Sequence, residues 1–184
     1  MADIPQPGDL MLPDPELIEG LSKQQYLDGV RRFMEHLIPF NRLLGIQVSH
    51  LAPGEAHLLL PGREEHVGNP FVPALHGGCL SALADTAGGA AVFSAAQYGD
   101  VVSTIDLRID YLRPAAPVDT VAEAEVVRIG GRVGVTRIRM WQQADAANDS
   151  PEARTEDGER RLVAEATGVY SIRRGKKSGK PPRG

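Results

Sequence analysis

The spacing of apolar residues predicts a helix near the start of the chain and mostly β-strands after Leu44. Before that point apolar residues recur at helical spacing, and Ser22 with Gln25 has the pattern of a capping box. An amphipathic helix from Ser22 to Ile38 is therefore predicted, because Pro39 disfavours helical geometry at the residue before it. Its apolar face is expected to pack against the main body of the protein.

After Leu44 apolar residues alternate with others, which is the period of a β-strand. Two short alternating runs flank Pro53-Gly54, and this pattern predicts a β-hairpin. Residues 61–75 are rich in Pro, Gly and Asn and are expected to form a loop. Four further strands are predicted at Ile105–Tyr111, Val118–Arg128, Val133–Met140 and Leu162–Ile172, with Gly130-Gly131 as a tight turn and residues 144–160 as a long exposed loop.

Between the hairpin and the later strands lies a segment composed almost entirely of small residues. From Gly77 to Ala96, 13 of 20 residues are Gly, Ala or Ser. Ala favours a helix, but Gly88 and Gly89 each cost roughly 1 kcal/mol in a helix interior. We therefore predict one long helix that another element approaches more closely than a larger side chain would allow.

The order of these elements predicts an α+β fold. Because the strands follow one another at hairpin distances, the sheet should be mostly antiparallel. A single helix of small residues favours a curved sheet wrapped around it, with an extra helix at the N-terminus. An exposed edge strand favours pairing with a second copy of the chain. The predicted divisions are an N-terminal arm and helix (1–38), a main domain (39–172) and a basic, disordered tail (173–184).

Composition and charge exclude several functional classes. The 184 residues suffice for one domain with its own core. A formal charge of −4 argues against a dedicated nucleic-acid-binding protein, although the basic tail can either contact phosphates or simply be solvated. The single cysteine, Cys79, excludes an internal disulfide and fits a reducing compartment. No apolar run approaches the ~18 residues of a membrane span and the N-terminus does not resemble a signal peptide, so a cytoplasmic protein is predicted.

One carboxylate is the first candidate for chemistry. Between Glu65 and Asp100 the sole formally charged residue is Asp85, in the middle of the small-residue helix. Burying a lone carboxylate is costly unless it is paired or used. Asp85 can therefore be a capping or ion-paired group, or a catalytic one. His57 and His66 have no metal-like spacing with other ligands, so no metal site is predicted.

Several segments resemble the PaaI-type acyl-CoA thioesterases of the hotdog fold. The string LHGGCLSALADTAGGAA resembles the central helix of that family, and the similarity extends to PFNRLLGI, STIDLRIDYLRPA, AEVVRIGGR and VAEATGVYSI. Together these segments span residues 39–172. The resemblance implies a sheet that wraps the central helix, dimers that pair their sheets edge to edge, and frequent assembly of dimers into tetramers.

The resemblance also implies where the active site lies. It is expected at the dimer interface, where the helix carboxylate of one subunit faces the His-Gly-Gly turn of the other. Asp85 matches the family's catalytic carboxylate, which attacks the thioester carbonyl or activates a water. Gly78 would supply the backbone N–H that polarises the carbonyl, and Thr104 would orient the water or the carboxylate. Asn69 resembles the family's Asn in the preceding loop, although it lies seven residues before His76, where many relatives have six.

The chemistry agrees with a site shared between two chains. Thioester hydrolysis needs a base or nucleophile, and donors aimed at the developing oxyanion. The N-terminus of a helix presents unpaired N–H groups and a partial positive charge, so Gly77 and Gly78 suit the donor role. Asp85 lies roughly two turns further along the same helix and does not comfortably reach those groups. His76 can stabilise the turn through hydrogen bonds, or can act as a ligand or base.

The remaining candidates concern the substrate. Gly131 and Arg132 can contact the nucleotide part of coenzyme A, since arginine binds phosphate well, or can form an ordinary hairpin turn. The predicted function is hydrolysis of acyl-CoA thioesters to free acid and coenzyme A, without a bound cofactor. Two alternatives stay open. One is a hotdog acyl-CoA hydratase or dehydratase, which usually pairs a His with the carboxylate, and the other is a non-catalytic acyl-CoA-binding protein.

Overall fold

The structure is a computed structural model that describes residues 22–69, 71–144, 154–155 and 158–174. The predicted N-terminal arm, most of the predicted loop at 144–160 and the tail beyond residue 174 lie outside these ranges. Within the described ranges no helix is both long enough and apolar enough to span a membrane. The helices are α1 (Lys23–Arg32), a π-helical turn that continues it (Phe33–Leu37), α2 (Pro39–Leu44), a 3₁₀ helix (Glu64–His66) and α3 (Gly77–Ala95). The strands are β1 (Gln47–Ala52), β2 (Glu55–Leu60), β3 (Val67–Asn69), β4 (Val72–Leu75), β5 (Val101–Tyr111), β6 (Thr120–Ile129), β7 (Val133–Gln143) and β8 (Arg160–Arg173).

The N-terminal helix begins and ends where the sequence predicts. The Gln25 N–H donates to Ser22 Oγ (3.2 Å), and the Ser22 N–H donates to Gln25 Oε1 (2.8 Å), which completes the capping box. The last turn is wide, since the Ile38 N–H donates to the Phe33 carbonyl five residues earlier. The chain then leaves helical geometry at Ile38, directly before Pro39.

The short helix α2 is not predicted by the sequence pattern, because six residues are too few to establish a helical period. Its buried Asn41 connects three elements. The Asn41 side-chain amide donates to the Met34 carbonyl of the π-helical turn (2.9 Å), and its Oδ1 accepts from Thr86 Oγ1 of α3 (3.3 Å). This residue therefore ties the N-terminal helices to the middle of α3.

Six strands form one sheet in the order β1-β2-β6-β7-β8-β5, and every neighbouring pair is antiparallel. The β1–β2 hairpin turns at Gly54, whose positive φ of 83° glycine adopts without strain. The helix α3 contacts all six strands of this sheet. The prediction of an antiparallel sheet wrapped around one long helix, with an extra N-terminal helix, is confirmed.

The segment 61–75 is not the plain loop that its composition predicts. It contains the 3₁₀ helix Glu64–His66 and a small hairpin formed by β3 and β4. Contacts with distant segments hold this hairpin, since the Leu75 N–H donates to the Ala115 carbonyl (2.8 Å). Strands of three and four residues are too short to show an alternating pattern, so they could not be predicted from the sequence.

The small residues of α3 allow the sheet to approach closely. The fully buried Tyr170 of β8 lies directly against Gly88, and its hydroxyl donates to the Asp85 carbonyl (3.2 Å). A Cβ built on Gly88 would overlap this hydroxyl and would come within 2.8 Å of Thr136 Oγ1. The Tyr170 ring also packs closely on the backbone of Gly168, since a Cβ built there would lie 2.5 Å from Tyr170 Cε2. Gly88 is therefore required for close packing of the helix on the sheet.

The strand β5 forms one edge of the sheet, and its alternation is interrupted. The register with β8 shifts between Thr104 and Asp106, so one extra residue, Ile105, bulges from the strand. Leu107 and Ile109 pack against the core, as the alternation predicts, whereas Ile105 is 59% exposed. Strict alternation along the predicted strand Ile105–Tyr111 would place Ile105 on the same face as Leu107 and Ile109, but the bulge displaces it.

The two edges of the sheet differ in how they are protected. At β1 the Val48 N–H donates to Glu35 Oε1 (2.7 Å), and the Arg31 guanidinium donates to the Val48 carbonyl. These side chains occupy backbone groups that another strand would need for pairing. At β5 the exposed residues include the apolar Val101 and Ile105. The N-terminal helix thus covers one edge, and β5 is the edge available for pairing.

We predict that Gly88→Ala destabilises the fold by about 1–3 kcal/mol, because the added methyl group overfills the space occupied by Tyr170. Gly89→Ala is the matched control, since a Cβ there would lie 3.7 Å from Tyr170 Cε1, an ordinary contact. That variant should be as stable as wild type or more stable, because alanine favours the helix. Urea unfolding of the three proteins measures the difference, and equal stability of both variants would contradict the packing argument.

Candidate active site

The helix α3 starts with a side-chain cap supplied by His76. The Gly78 N–H donates to His76 Nδ1 (2.9 Å), and the His76 N–H donates to the carbonyl of buried His66 (2.7 Å). Because Nδ1 accepts this bond, the neutral ring carries its proton on Nε2. Of the roles left open for His76, the structure shows the turn-stabilising one.

This cap has a consequence for the predicted oxyanion donor. In the structure the N–H of Gly78 is already engaged by His76. A substrate carbonyl oxygen can receive this N–H only by displacing His76 Nδ1 or by sharing the hydrogen with it. Gly77 and Gly78 still lie at the positive end of α3, and Gly78 is exposed, so the start of the helix remains accessible to an anionic oxygen.

The carboxylate of Asp85 is held by the edge strand. Thr104 Oγ1 donates to Asp85 Oδ1 (2.7 Å), so α3 and β5 together orient the carboxylate. Asp85 is half-buried, and Thr104 is exposed. Burial, and secondarily the negative charge of Asp85, raise the pKa of the Tyr170 hydroxyl that bonds the Asp85 carbonyl. That hydroxyl therefore stays protonated and anchors the turn that carries the carboxylate.

The structure separates the predicted residues into two groups. Gly78 and Asp85 are seven residues apart on a continuous helix, which corresponds to about 10 Å along its axis. We call Asn69, His76, Gly77 and Gly78 the helix-start group, and Asp85 with Thr104 the carboxylate group. One carbonyl group cannot contact both groups of the same chain, because hydrogen bonds require distances of about 3 Å.

Asn69 lies beside the start of α3, in the small β3–β4 hairpin. Its Oδ1 accepts from the Phe71 N–H (2.9 Å), which closes a local turn. The adjacent Gly68 packs against His76, because a Cβ at Gly68 would lie 2.8 Å from His76 Cα. The structure therefore places Asn69 with the helix-start group and shows its oxygen stabilising the hairpin turn.

Gly131 and Arg132 lie in the turn between β6 and β7, at the end of the sheet where β5 begins. The Ile172 N–H donates to the Arg132 carbonyl (2.7 Å), and Ile172 pairs with Val102, two residues before Thr104. Both turn residues are exposed. A cationic side chain thus lies at the end of the sheet where β5 begins and where the carboxylate group is held.

Comparison with known proteins identifies the family. The sequence profile of the thioesterase superfamily matches residues 73–147, a range that includes α3 and Thr104. A candidate esterase from Halobacterium salinarum is 42% identical over 111 residues, which cover 59% of this chain and 73% of that protein. The chain belongs to the thioesterase superfamily. The medium/long-chain acyl-CoA thioesterase YigI of Escherichia coli K12 is 28% identical over 165 residues, which cover 83% of this chain and 97% of that one.

Solved structures agree with this assignment. A thioesterase family protein from Silicibacter pomeroyi superposes with a TM-score of 0.68 at 25% identity, over 84% of this chain and 100% of that one. A mutant of the phenylacetic acid degradation protein PaaI from Thermus thermophilus gives a TM-score of 0.56 at 30% identity, over 72% and 97%. This thioesterase therefore has the hotdog fold, and its activity is the hydrolysis of thioesters.

The sequence did not point to a hydroxyl cluster at the start of α3. Tyr111 Oη donates to the Gly77 carbonyl (3.0 Å), and Ser81 Oγ donates to the same oxygen (3.0 Å). The two hydroxyl oxygens are 2.7 Å apart. Ser81 lies one helical turn after Gly77, so its spacing in the sequence could have suggested the contact. Tyr111 comes from the far end of β5, and no sequence spacing relates it to Gly77. Alternation alone marks Tyr111 as one more apolar residue of the strand.

Cys79 lies directly after Gly78 in α3, and its side chain makes no hydrogen bond to the described residues of the candidate site. It is half-buried, and burial raises the pKa of its thiol. The protonated thiol is a weak nucleophile, so the side chain acts as a small apolar residue. Across the described ranges of the chain, no three His, Cys, Asp or Glu side chains are grouped to hold a metal ion.

We predict that His76→Ala lowers the free energy of unfolding by about 1 kcal/mol, because the variant loses the side-chain cap of α3. His76→Asn is the control, since asparagine is among the best N-cap residues and restores an acceptor for the Gly78 N–H. Thermal and urea unfolding measure both variants. If His76→Ala unfolds at the wild-type midpoint, the cap contributes nothing to stability.

Proposed function

We propose that this thioesterase hydrolyses acyl-CoA thioesters to a free acid and coenzyme A, with the hotdog domain at residues 39–172. The proposal is supported by the similarity to YigI, which is named a medium/long-chain acyl-CoA thioesterase. Medium-chain and long-chain acyl groups are accordingly the first substrates to test.

The observation that carries the proposal is the hydrogen bond between Thr104 and Asp85 at the open edge of the sheet. Thr104 engages Oδ1, and none of the described residues donates to Oδ2. An oriented carboxylate with one oxygen available can deprotonate a water or attack a carbonyl carbon. No other carboxylate lies on α3, so Asp85 is the proposed base or nucleophile.

The proposed active site is completed by a second copy of the chain. A dimer that pairs two β5 edges is the arrangement consistent with α1 covering β1. A two-fold axis then gives two identical sites, each with the carboxylate group of one protomer and the helix-start group of its partner. These dimers can also assemble in pairs, which would leave the composition of each site unchanged.

The proposed reaction uses both groups on one thioester. Asp85 takes a proton from water, and the water oxygen attacks the carbonyl carbon. The negative charge that develops on the carbonyl oxygen is stabilised by the positive end of α3 and by the Gly78 N–H, which His76 Nδ1 releases or shares at this step. The C–S bond then breaks and coenzyme A leaves as a thiolate. Direct attack by Asp85 would instead form an acyl anhydride that water cleaves, and transfer of ¹⁸O from labelled water into Asp85 distinguishes this route.

The turn formed by Gly131 and Arg132 is the proposed contact for the phosphates of coenzyme A. Arginine donates to phosphate in a bidentate fashion, and Gly131 has open space around its Cα. The turn lies at the end of the sheet that holds Thr104, so a phosphate bound there can accompany a thioester placed at Asp85.

We predict that Asp85→Asn lowers kcat for acyl-CoA hydrolysis by at least about 1000-fold, since the amide can neither accept the proton nor attack. The fold should be retained, because asparagine still accepts from Thr104. Thiol release from short, medium, long and aryl acyl-CoA esters measures the rate, and circular dichroism checks the fold. A rate near wild type would remove Asp85 from the mechanism, and hydration of enoyl-CoA without thiol release would favour a hydratase.

We predict that two inactive variants restore activity when they are mixed. Asp85→Asn removes the carboxylate, and Gly78→Pro removes the N–H in the first turn of α3. Gly78→Pro also loses the His76 cap and places a Cβ 2.8 Å from His76 Nδ1, so circular dichroism checks that this variant folds. When subunits exchange at random, half of the dimers are mixed and each has one intact site, so about a quarter of wild-type activity should return. If each site were built within one chain, the mixture would remain inactive. Wild type mixed with Asp85→Asn controls for losses during exchange.

A further inference from the structure

We propose that Tyr111 and Ser81 are positioning residues that fix the direction of the Gly78 N–H. The proposal rests on the proposed function, because it concerns the donor assigned there to the developing oxyanion. Both hydroxyl groups donate to the carbonyl oxygen of Gly77, each at 3.0 Å. Tyr111 also lies over the backbone of Gly77, since a Cβ there would meet the phenol ring at 3.4 Å.

The link between Gly77 and Gly78 is the peptide bond. The carbonyl of Gly77 and the N–H of Gly78 belong to one peptide unit, which is planar and trans. A group that fixes the C=O direction therefore fixes the N–H in the opposite direction. The helix and the His76 cap already hold this peptide, because Gly77 is the first residue of α3 and the Gly78 N–H donates to His76 Nδ1. The hydroxyl groups of Tyr111 and Ser81 add a further restraint from the carbonyl side, at two successive glycines whose backbone is the least restricted.

The same hydrogen bonds affect the strength of the donor. A hydroxyl that donates to a peptide carbonyl polarises the peptide, and chains of hydrogen bonds strengthen one another. The Gly78 N–H then becomes a better donor to a developing negative charge. An oxyanion-stabilising group is effective when it is already oriented before the reaction, because it then needs no rearrangement at the transition state.

The three oxygen atoms share two protons. Tyr111 Oη, Ser81 Oγ and the Gly77 carbonyl oxygen form a triangle with three contacts. Only the two hydroxyl groups carry hydrogen, so at any moment one contact lacks its own proton. Loss of either hydroxyl leaves the other able to donate to Gly77. The effects of the two single substitutions should therefore not add.

The placement of Tyr111 connects the two groups of the site. The strand β5 carries Thr104, which holds Asp85, and Tyr111, which holds Gly77. These two strand residues are seven positions apart, as are Gly78 and Asp85 on α3. One edge strand therefore orients both the carboxylate group and the helix-start group of its own chain. A residue that only anchored α3 to the sheet would affect stability and leave the reaction step unchanged.

The test compares Tyr111→Phe, Ser81→Ala and the double variant with wild type in a thiol-release assay on acyl-CoA. The double variant should lower kcat by about 5- to 30-fold with KM within about twofold, a fraction of the loss expected when an oxyanion donor is removed outright. Each single substitution should lower kcat by less, because the remaining hydroxyl still donates to Gly77. Tyr26→Phe is the matched control. Its hydroxyl donates to the Phe93 carbonyl (2.7 Å) near the other end of α3, so it removes the same type of bond far from the site. Its kcat and KM should equal those of wild type.

A second measurement separates this proposal from the proposed function. The ¹H–¹⁵N resonance of Gly78 should shift in Tyr111→Phe, and its amide exchange should become faster, while Tyr26→Phe leaves both unchanged. An unchanged Gly78 amide, or an unchanged kcat in Tyr111→Phe and in the double variant, would overturn the positioning role. If wild type fails to hydrolyse acyl-CoA, or Asp85→Asn remains active, the proposed function fails. The Gly78 amide then still decides whether Tyr111 positions this peptide.

Discussion

The contact between Tyr170 and Gly88 sets how closely α3 packs on the sheet. Tyr170 is fully buried between α3 and the backbone of Gly168, so the distance between helix and sheet is set by the absence of side chains at both glycines. The same hydroxyl bonds the backbone of Asp85. The contact that allows a sheet to wrap a helix therefore also fixes the turn that carries the proposed catalytic carboxylate.

A second consequence follows from the rigidity of α3. Its N-terminus offers backbone donors and a positive partial charge, and Asp85 offers a carboxylate, but about 10 Å of helix separates them. Neither can move toward the other without breaking helical hydrogen bonds. Because α3 is one continuous helix, the carboxylate group and the helix-start group of one chain cannot act on the same thioester. Each can act together with the other group from a second chain, which is the physical basis of the proposed shared site.

The N-terminal helices determine which edge of the sheet is available for that association. Arg31 and Glu35 occupy the backbone groups of Val48 and so block pairing at β1. Asn41 ties the same region to Thr86, the neighbour of Asp85 on α3. The opposite edge, β5, keeps exposed apolar residues and carries Thr104 and Tyr111. The N-terminal helices therefore protect the β1 edge of the sheet, and the β5 edge carries the residues that contact the proposed catalytic groups.

Elements with local signals could be predicted from the amino-acid sequence. Periodicity and capping chemistry predicted α1, the β1–β2 hairpin and the later strands, and the small-residue composition predicted α3. The resemblance singled out Asp85, Thr104 and the His-Gly-Gly turn. Short elements such as α2 and β3 escaped, because they contain less than two periods of any pattern. The cap at His76 is also local, and its turn-stabilising role was one of the alternatives that the sequence offered. The bulge at Ile105 and the contact of Tyr111 with Gly77 could be seen only in the folded protein. These two features depend on the register of β5 and on the distance between α3 and the sheet, and packing between residues far apart in the chain sets both quantities.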